Sequence, residues 1–210
     1  MAKPPKEHLC KRILIVEGYS DLLFCAEFLA HLGKLEGVYI KEFKGKSNVL
    51  KRETLEDYLS QQRLAEMESI GILVDADENP SGTSCSLKDS LQAITGRSLS
   101  EGVWNEGVPK LGFFVAPDGV NRGEIETLVW NIWSGNPGHE TGKDSVLKHL
   151  EAMETANAEW KAKSPDKARI GAFLAAAYDE DPRLGAGARE KLFDFNDPGF
   201  DRLREFLMGL

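Results

Sequence analysis

The sequence predicts an α/β fold in which an open, mostly parallel sheet is flanked by helices and followed by a helical C-terminal region. Three observations lead to this prediction. Short apolar runs rich in β-branched residues alternate with segments of helical period up to residue 116, and only helical periods follow. The 210 residues are 41% hydrophobic and 29% charged, as in a globular chain. Strands that alternate with helices favour parallel pairing.

Four strands are predicted, at residues 13–16, 38–43, 69–74 and 111–116. The first, Ile-Leu-Ile-Val, has the composition of a strand that is buried on both faces. Ser20 is the expected N-cap of the first helix, which Gly33 ends. Further helices are expected at 49–68, 87–94, 124–133, 143–162, 166–178 and 198–208. We expect residues 9–134 to form the α/β core and residues 135–210 to form a helical extension packed on it as one structural unit.

The cysteines and the apolar runs bear on where the protein resides. Cys10, Cys25 and Cys85 are odd in number and contain no CxxC pair, so they predict neither a disulfide framework nor a zinc site. Every apolar run is too short to cross a bilayer. We therefore expect a reduced, cytoplasmic protein that does not use a membrane as a partner.

Charge is unevenly distributed along the chain. Lys and Arg number 26 against 34 Asp and Glu, a net charge of −8, which argues against a general cationic coat for nucleic acid. Two short segments are basic, however: residues 41–52 hold five cations and one acid, and residues 161–169 hold four cations and one acid. Local basic segments of this kind suit a groove that follows phosphates.

Acidic residues gather where predicted strands end. Glu17 follows the first strand, Asp75 and Asp77 follow the third, and Glu126 lies just inside the helix after the fourth. The carboxyl ends of parallel strands meet at one edge of a sheet, where sites form. Residues two apart in an extended segment point to the same side. The sequence thus predicts that these carboxylates converge.

Such a cluster requires a compensating cation. Two carboxylates about 4 Å apart repel by about 4 kcal/mol at an effective dielectric constant of 20. Oxygen-only ligands suit Mg²⁺ or Mn²⁺, and two such ions activate water and stabilise a leaving phosphate oxygen. Each acid alone is also typical of a turn or cap, and Asp21 of a helix N-terminus. Their conjunction favours the metal site.

The motifs around these acids carry a family resemblance. Ile-Leu-Ile-Val-Glu17-Gly18-x-x-Asp21 and Ile-Leu-Val-Asp75-x-Asp77 resemble the two signature motifs of the TOPRIM superfamily. With Gly123-Glu-Ile-Glu126, the chain most resembles the OLD-type nucleases and their small stand-alone bacterial relatives. The resemblance implies a compact, Rossmann-like TOPRIM sheet. It also implies a metal-dependent nuclease for DNA more than for RNA, in phage defence or DNA repair.

Site residues follow from the resemblance by position. It implies that Glu17 is a metal ligand or general acid/base, and that Lys167, with Lys163 behind it, stabilises developing phosphate charge. The implied ligands of Mg²⁺ or Mn²⁺ are Glu17, Asp21, Asp75, Asp77 and Glu126, with Asp21 and Glu126 serving a second ion.

Partners and an alternative function also follow from the resemblance. Many OLD proteins carry an ATPase domain that is not found here, so a separately encoded ATPase partner is expected, and an oligomer is compatible with the sequence. The alternative to an enzyme is a non-catalytic TOPRIM module that binds a partner protein or nucleic acid, in the manner of the RecR proteins.

Overall fold

A computed structural model describes residues 5–178 and 181–210 and has a four-stranded parallel sheet at its centre. The strands are β1 (Arg12–Val16), β2 (Val38–Glu42), β3 (Ser69–Asp75) and β4 (Lys110–Ala116). Their order across the sheet is β2-β1-β3-β4, and each neighbouring pair is parallel. The predicted α/β fold class, with its parallel sheet and helical C-terminal region, is confirmed.

Helices flank the sheet and form the C-terminal region. They are α1 (Tyr19–His31), α2 (Lys46–Leu50), α3 (Arg52–Tyr58), α4 (Gln61–Glu66), α5 (Pro80–Thr95), α6 (Ile125–Gly135), α7 (Glu140–Ala156), α8 (Pro165–Ala177), α9 (Leu184–Arg189) and α10 (Asp201–Met208). Short 3₁₀ turns cover Glu7–Leu9, Pro137–His139, Ala158–Trp160 and Pro198–Phe200. Throughout the described ranges, no helix combines the length and apolarity needed to span a membrane.

Local backbone geometry and capping explain why some of the predicted helix boundaries were wrong. The single helix expected over residues 49–68 is three short helices, because the backbone is extended at Lys51 and Ser60 caps α4 by accepting the N–H of Arg63. α5 begins seven residues early, since Asn79 accepts the N–H of Gly82. The N-cap of α1 is Gly18, not Ser20.

Both faces of the sheet are covered by apolar side chains. Alternate residues of β1 point to opposite faces, so Ile13 and Ile15 pack with α3 and α5, whereas Leu14 and Val16 pack with α1 and the C-terminal region. On the second face, the ring of Phe28 in α1 stacks on that of Phe195, with centroids 4.3 Å apart and an interplanar angle of 5°. The C-terminal region therefore completes the core over one face.

We propose that residues 9–134 and 135–210 unfold as one unit, and Phe195→Ala tests this. Removing a buried phenylalanine costs about 3–5 kcal/mol, and Phe195 is only 6% exposed. We expect one unfolding transition at a lower temperature and faster amide exchange in β1 as well as in α8. Phe195→Leu, which keeps an apolar side chain, is the control. Two separate transitions, with β1 protected as in the wild type, would contradict one unit.

Candidate metal centre

The carboxyl ends of β1 and β3 place the first two acids side by side. The strands pair in parallel, with Ile15 opposite Ile72, so the residues after them leave the sheet at the same edge. The backbone N–H of Asp75 donates to Oε1 of Glu17 at 2.8 Å. The structure therefore brings these two predicted residues into direct contact.

Three carboxylates form the tightest acidic group at this edge. Asp75, Asp77 and Glu124 each present one oxygen, and these oxygens lie within 4.8 Å of one another. Asp75 is 5% exposed, and its Oδ1 accepts the N–H of Ile125 at 3.0 Å. We call these three residues the acidic triad.

A short antiparallel bridge brings Glu124 into the acidic triad. The N–H of Asp77 donates to the carbonyl of Gly123 at 2.8 Å, and the N–H of Gly123 donates to the carbonyl of Asp77 at 2.9 Å. Gly123 has a φ of +132°, which favours glycine. Glu124, which precedes α6, was not among the predicted ligands, because the motif resemblance points to Glu126 two residues later.

Glu126 and Asp21 are two further buried acids whose charges act on Asp75. Glu126 is in the first turn of α6 and 5% exposed, and its Oε2 has no hydrogen-bond partner among the described residues. Oδ2 of Asp21, which is 8% exposed, accepts the N–H of Gly18 at 3.0 Å. Neither belongs to the acidic triad. An orphaned carboxylate oxygen facing this much negative charge is the arrangement that a bound cation would resolve.

Burial and mutual repulsion raise the pKa values of the cluster. Burial raises the pKa of Glu17 to about 7. The hydrogen bond from the Asp75 N–H lowers this pKa and so offsets part of the rise. Burial likewise raises the pKa of Glu126 to about 7, opposed by Lys167. For Asp75, burial and then the charges of Asp21, Glu17 and Glu126 place the pKa well above its ordinary range. Without a cation, the centre therefore retains protons near neutral pH.

Lys167 lies at the cluster, where the resemblance implied it. Its Nζ, on α8, is 3.3 Å from Oε2 of Glu124 and 3.9 Å from Oδ2 of Asp75. Ser164 holds this end of α8 in place: its Oγ accepts the N–H of Lys167 at 3.3 Å and donates to Oε2 of Glu124 at 2.7 Å. Burial lowers the pKa of Lys167, but the nearby carboxylates outweigh this effect and raise the pKa above its ordinary value. Glu126 makes the largest contribution among these carboxylates.

A second lysine, Lys46, which was not among the predicted site residues, contacts the acidic triad from another element. Nζ of Lys46 donates to Oδ2 of Asp77 at 2.9 Å and to the carbonyl of Ala76 at 3.0 Å. Its only sequence signal is membership of the basic segment 41–52. Each of the two basic segments thus supplies one lysine, Lys46 or Lys167, to the same cluster.

A cleft of about 400 Å³ opens beside the acidic triad. It lies between the loop that contains Gly123 and the start of α8, and it has Asp77 and Glu124 among its lining residues. Lys163 and Arg122 are its basic lining residues, and the guanidinium of Arg122 pairs with Glu78 at 2.9 Å. Lys163, which the sequence placed behind Lys167, therefore lines the approach to the carboxylates.

The donor set fits a divalent cation. All candidate ligand atoms are carboxylate oxygens, which suit Mg²⁺ or Mn²⁺ better than zinc. Two ammonium groups neutralise only part of the charge of Glu17, Asp21, the acidic triad and Glu126, and Oε2 of Glu126 remains orphaned within the described residues. The cluster can therefore bind a divalent metal ion.

Comparison with known proteins gives a family for this chain. Residues 11–210 match the family described as "Protein of unknown function (DUF3226)". The chain belongs to this family. No curated protein matches this DUF3226 chain.

Solved structures give a fold relative. The DUF3226 chain is similar to the C-terminal region of the OLD protein of Xanthomonas campestris pv. campestris, with a TM-score of 0.51, 12% identity and 95% of each chain covered. Two further structures of that region are 15% and 13% identical, with TM-scores of 0.41 and 0.40. The matched region covers 96% of this chain and 86% of the first of these two structures, and 97% and 85% for the second. The first likeness shows a shared fold.

Proposed function

We propose that the protein is a metal-dependent hydrolase of nucleic-acid phosphodiesters, acting on DNA more than on RNA. The observation that carries this proposal is the acidic triad, in which Asp75 is buried, with Lys167 beside it at the carboxyl edge of the sheet. The fold shared with the OLD C-terminal region and the motif resemblance to OLD-type nucleases support the same chemistry.

The proposed ligands divide between two positions. Asp75, Asp77 and Glu124 would hold one Mg²⁺ or Mn²⁺ ion, and Asp21 and Glu126 would serve a second. When bound, divalent cations in such a site supply positive charge that lowers the pKa of water and stabilises phosphate oxygens.

The remaining groups act on protons and phosphate charge. Glu17 would act as general acid or base, and in the metal-free centre burial raises the pKa of its carboxyl to about 7. The Asp75 N–H fixes its Oε1, so that the other oxygen is available for this exchange. The ammonium of Lys167, already within 3.9 Å of two carboxylates of the acidic triad, would bind a phosphoryl oxygen.

A non-catalytic module is the second candidate function. The observation that favours it is the pair of ion pairs Lys46–Asp77 and Lys167–Glu124, which neutralise part of the acidic triad without any metal. Such a module would bind nucleic acid or a partner protein and leave it intact. With either function, the separately encoded ATPase and the role in phage defence or DNA repair are proposals that rest on the OLD resemblance.

Asp77→Asn tests the enzyme against the module. Asp77 has a φ of +51°, a conformation that asparagine tolerates, so the fold should be preserved. We expect cleavage of supercoiled plasmid and single-stranded DNA with Mn²⁺ or Mg²⁺ to fall at least about 100-fold, because even groups that only orient metal ligands contribute 10- to 100-fold.

The exposed Asp57 on α3 provides the matched control, Asp57→Asn, which should cleave like the wild type. Equal residual nicking by the wild type and Asp77→Asn would indicate a contaminating nuclease and overturn the proposal. Binding of the oligonucleotide without any cleavage by the wild type would favour the non-catalytic module.

A further inference from the structure

Lys46 is held at the acidic triad by contacts that an ordinary surface lysine lacks. It is the first residue of α2, its side chain is 20% exposed, and its Nζ bonds both Asp77 and the carbonyl of Ala76. Holding a lysine in a single conformation costs side-chain entropy. The two contacts, one of them to a carboxylate, offset that cost at this position.

The backbone before Lys46 is hydrogen-bonded to the end of β1 and to Glu17, the residue that follows it. The N–H of Phe43 donates to the carbonyl of Val16 at 3.0 Å, and the N–H of Gly45 donates to the carbonyl of Glu17 at 2.7 Å. Gly45 has a φ of +118°, a conformation that favours glycine, and this turn directs the chain into α2. The position of Lys46 is therefore set by β1.

The ammonium retains capacity for another acceptor. A lysine has three N–H donors. In the described part of the chain, two of them are used, by Ala76 and by Asp77. The third can serve an incoming oxygen, and the Asp77 contact itself can be exchanged if a cation takes over that carboxylate.

We propose that Lys46 is a phosphate-binding residue of this centre, contacting a non-bridging oxygen of the nucleic-acid backbone on the Asp77 side of the acidic triad. Lys167 would contact the phosphate on the Glu124 side. Two ammonium groups on separate elements would thus fix the position of one phosphodiester over the carboxylates. This inference rests on the proposed function, whose metal ligands include Asp77.

A purely structural lysine would behave differently. If Lys46 served only to neutralise Asp77, its loss would lower the stability of the metal-free protein, and a bound cation would compensate for it. If Lys46 binds phosphate, its loss weakens nucleic-acid binding even when metal is saturating. In both cases, removing the ammonium should strengthen Mn²⁺ binding, because a competing positive charge beside Asp77 is gone.

The test compares Lys46→Met with Lys46→Arg, which keeps the positive charge, and with Lys88→Met at an exposed lysine of α5. Binding of a fluorescent single-stranded oligonucleotide is measured over a range of salt concentrations in the presence of Ca²⁺. We expect Lys46→Met to weaken binding about tenfold, the loss expected for a hydrogen bond to a charged group. The slope of log affinity against log salt should decrease by about one phosphate contact.

Lys46→Arg should restore the salt slope, and Lys88→Met should match the wild type. The proposal is overturned if Lys46→Met keeps the wild-type affinity and salt slope. The proposed function fails separately, if the wild type neither gains stability with Mn²⁺ nor cleaves DNA.

Discussion

Replacing Asp75 with asparagine is expected to abolish both Mn²⁺-dependent stabilisation and DNA cleavage, without lowering the stability of the metal-free protein. Burial, Asp21, Glu17 and Glu126 all raise the pKa of Asp75, so the ionised carboxylate is costly in the absence of a cation. The amide oxygen of asparagine can still accept the N–H of Ile125. The substitution removes the charge that a metal requires and retains the hydrogen bond that the fold uses.

Thermal unfolding with and without Mn²⁺ measures this effect. A ligand present at about 100 times its dissociation constant stabilises the folded state by about 2.7 kcal/mol, so the wild type should show a higher midpoint with the metal. Asp89→Asn, at an exposed aspartate of α5, is the matched control and should respond like the wild type. A wild-type response in Asp75→Asn would place the metal elsewhere.

Strands β1, β3 and β4 were predictable from sequence because they are short and their apolar residues are buried on both faces. β3 is buried along its whole length, and β4 is buried at every residue after Lys110. The helix predicted over residues 49–68 failed for a local reason. Its apolar period continues across Lys51 and Ser60, where extended backbone and a side-chain cap interrupt the helix. Caps of this kind leave little trace in hydrophobic periodicity.

The candidate site was predictable where parallel-strand geometry determines it. Glu17 and Asp75 meet because β1 and β3 are neighbours. In the sequence, each acid directly follows an apolar run, which indicates where the strand ends. Glu124 could not be predicted, since its position depends on the bridge between Asp77 and Gly123. Lys46 could not be predicted either, because its contact with Asp77 depends on how the chain turns after β2.

The metal-free protein is expected to lose stability as the pH rises from about 5 to 8. Burial raises the pKa of Glu126 and of Glu17 from 4.5 to about 7. Between these values the folded state binds more protons than the unfolded state, so the free energy of unfolding falls with rising pH. The contribution is complete below pH 4.5 and is lost as the pH passes through 7. For Glu126 alone, the elevation corresponds to about 3 kcal/mol.

Glu126→Gln should flatten this pH dependence, since an uncharged amide of similar shape replaces one of the two titrating carboxyls. Glu53→Gln, at an exposed glutamate of α3, should retain the wild-type slope. Chemical denaturation at several pH values, in the presence of a chelator, gives the free energy of unfolding directly. A slope that is the same in the wild type and Glu126→Gln would show that Glu126 does not retain a proton in the folded state.

With saturating Mn²⁺, the free energy of unfolding should rise with pH instead of falling. Binding a cation requires ionised carboxylates, so metal affinity rises as the protons of Glu17 and Glu126 are lost. Mass action then stabilises the folded protein most at the higher pH, where the metal-free protein is weakest. The gain from Mn²⁺ should therefore be small at pH 5 and large at pH 8. A gain that is independent of pH would mean that the metal binds without displacing these protons, away from both carboxyls.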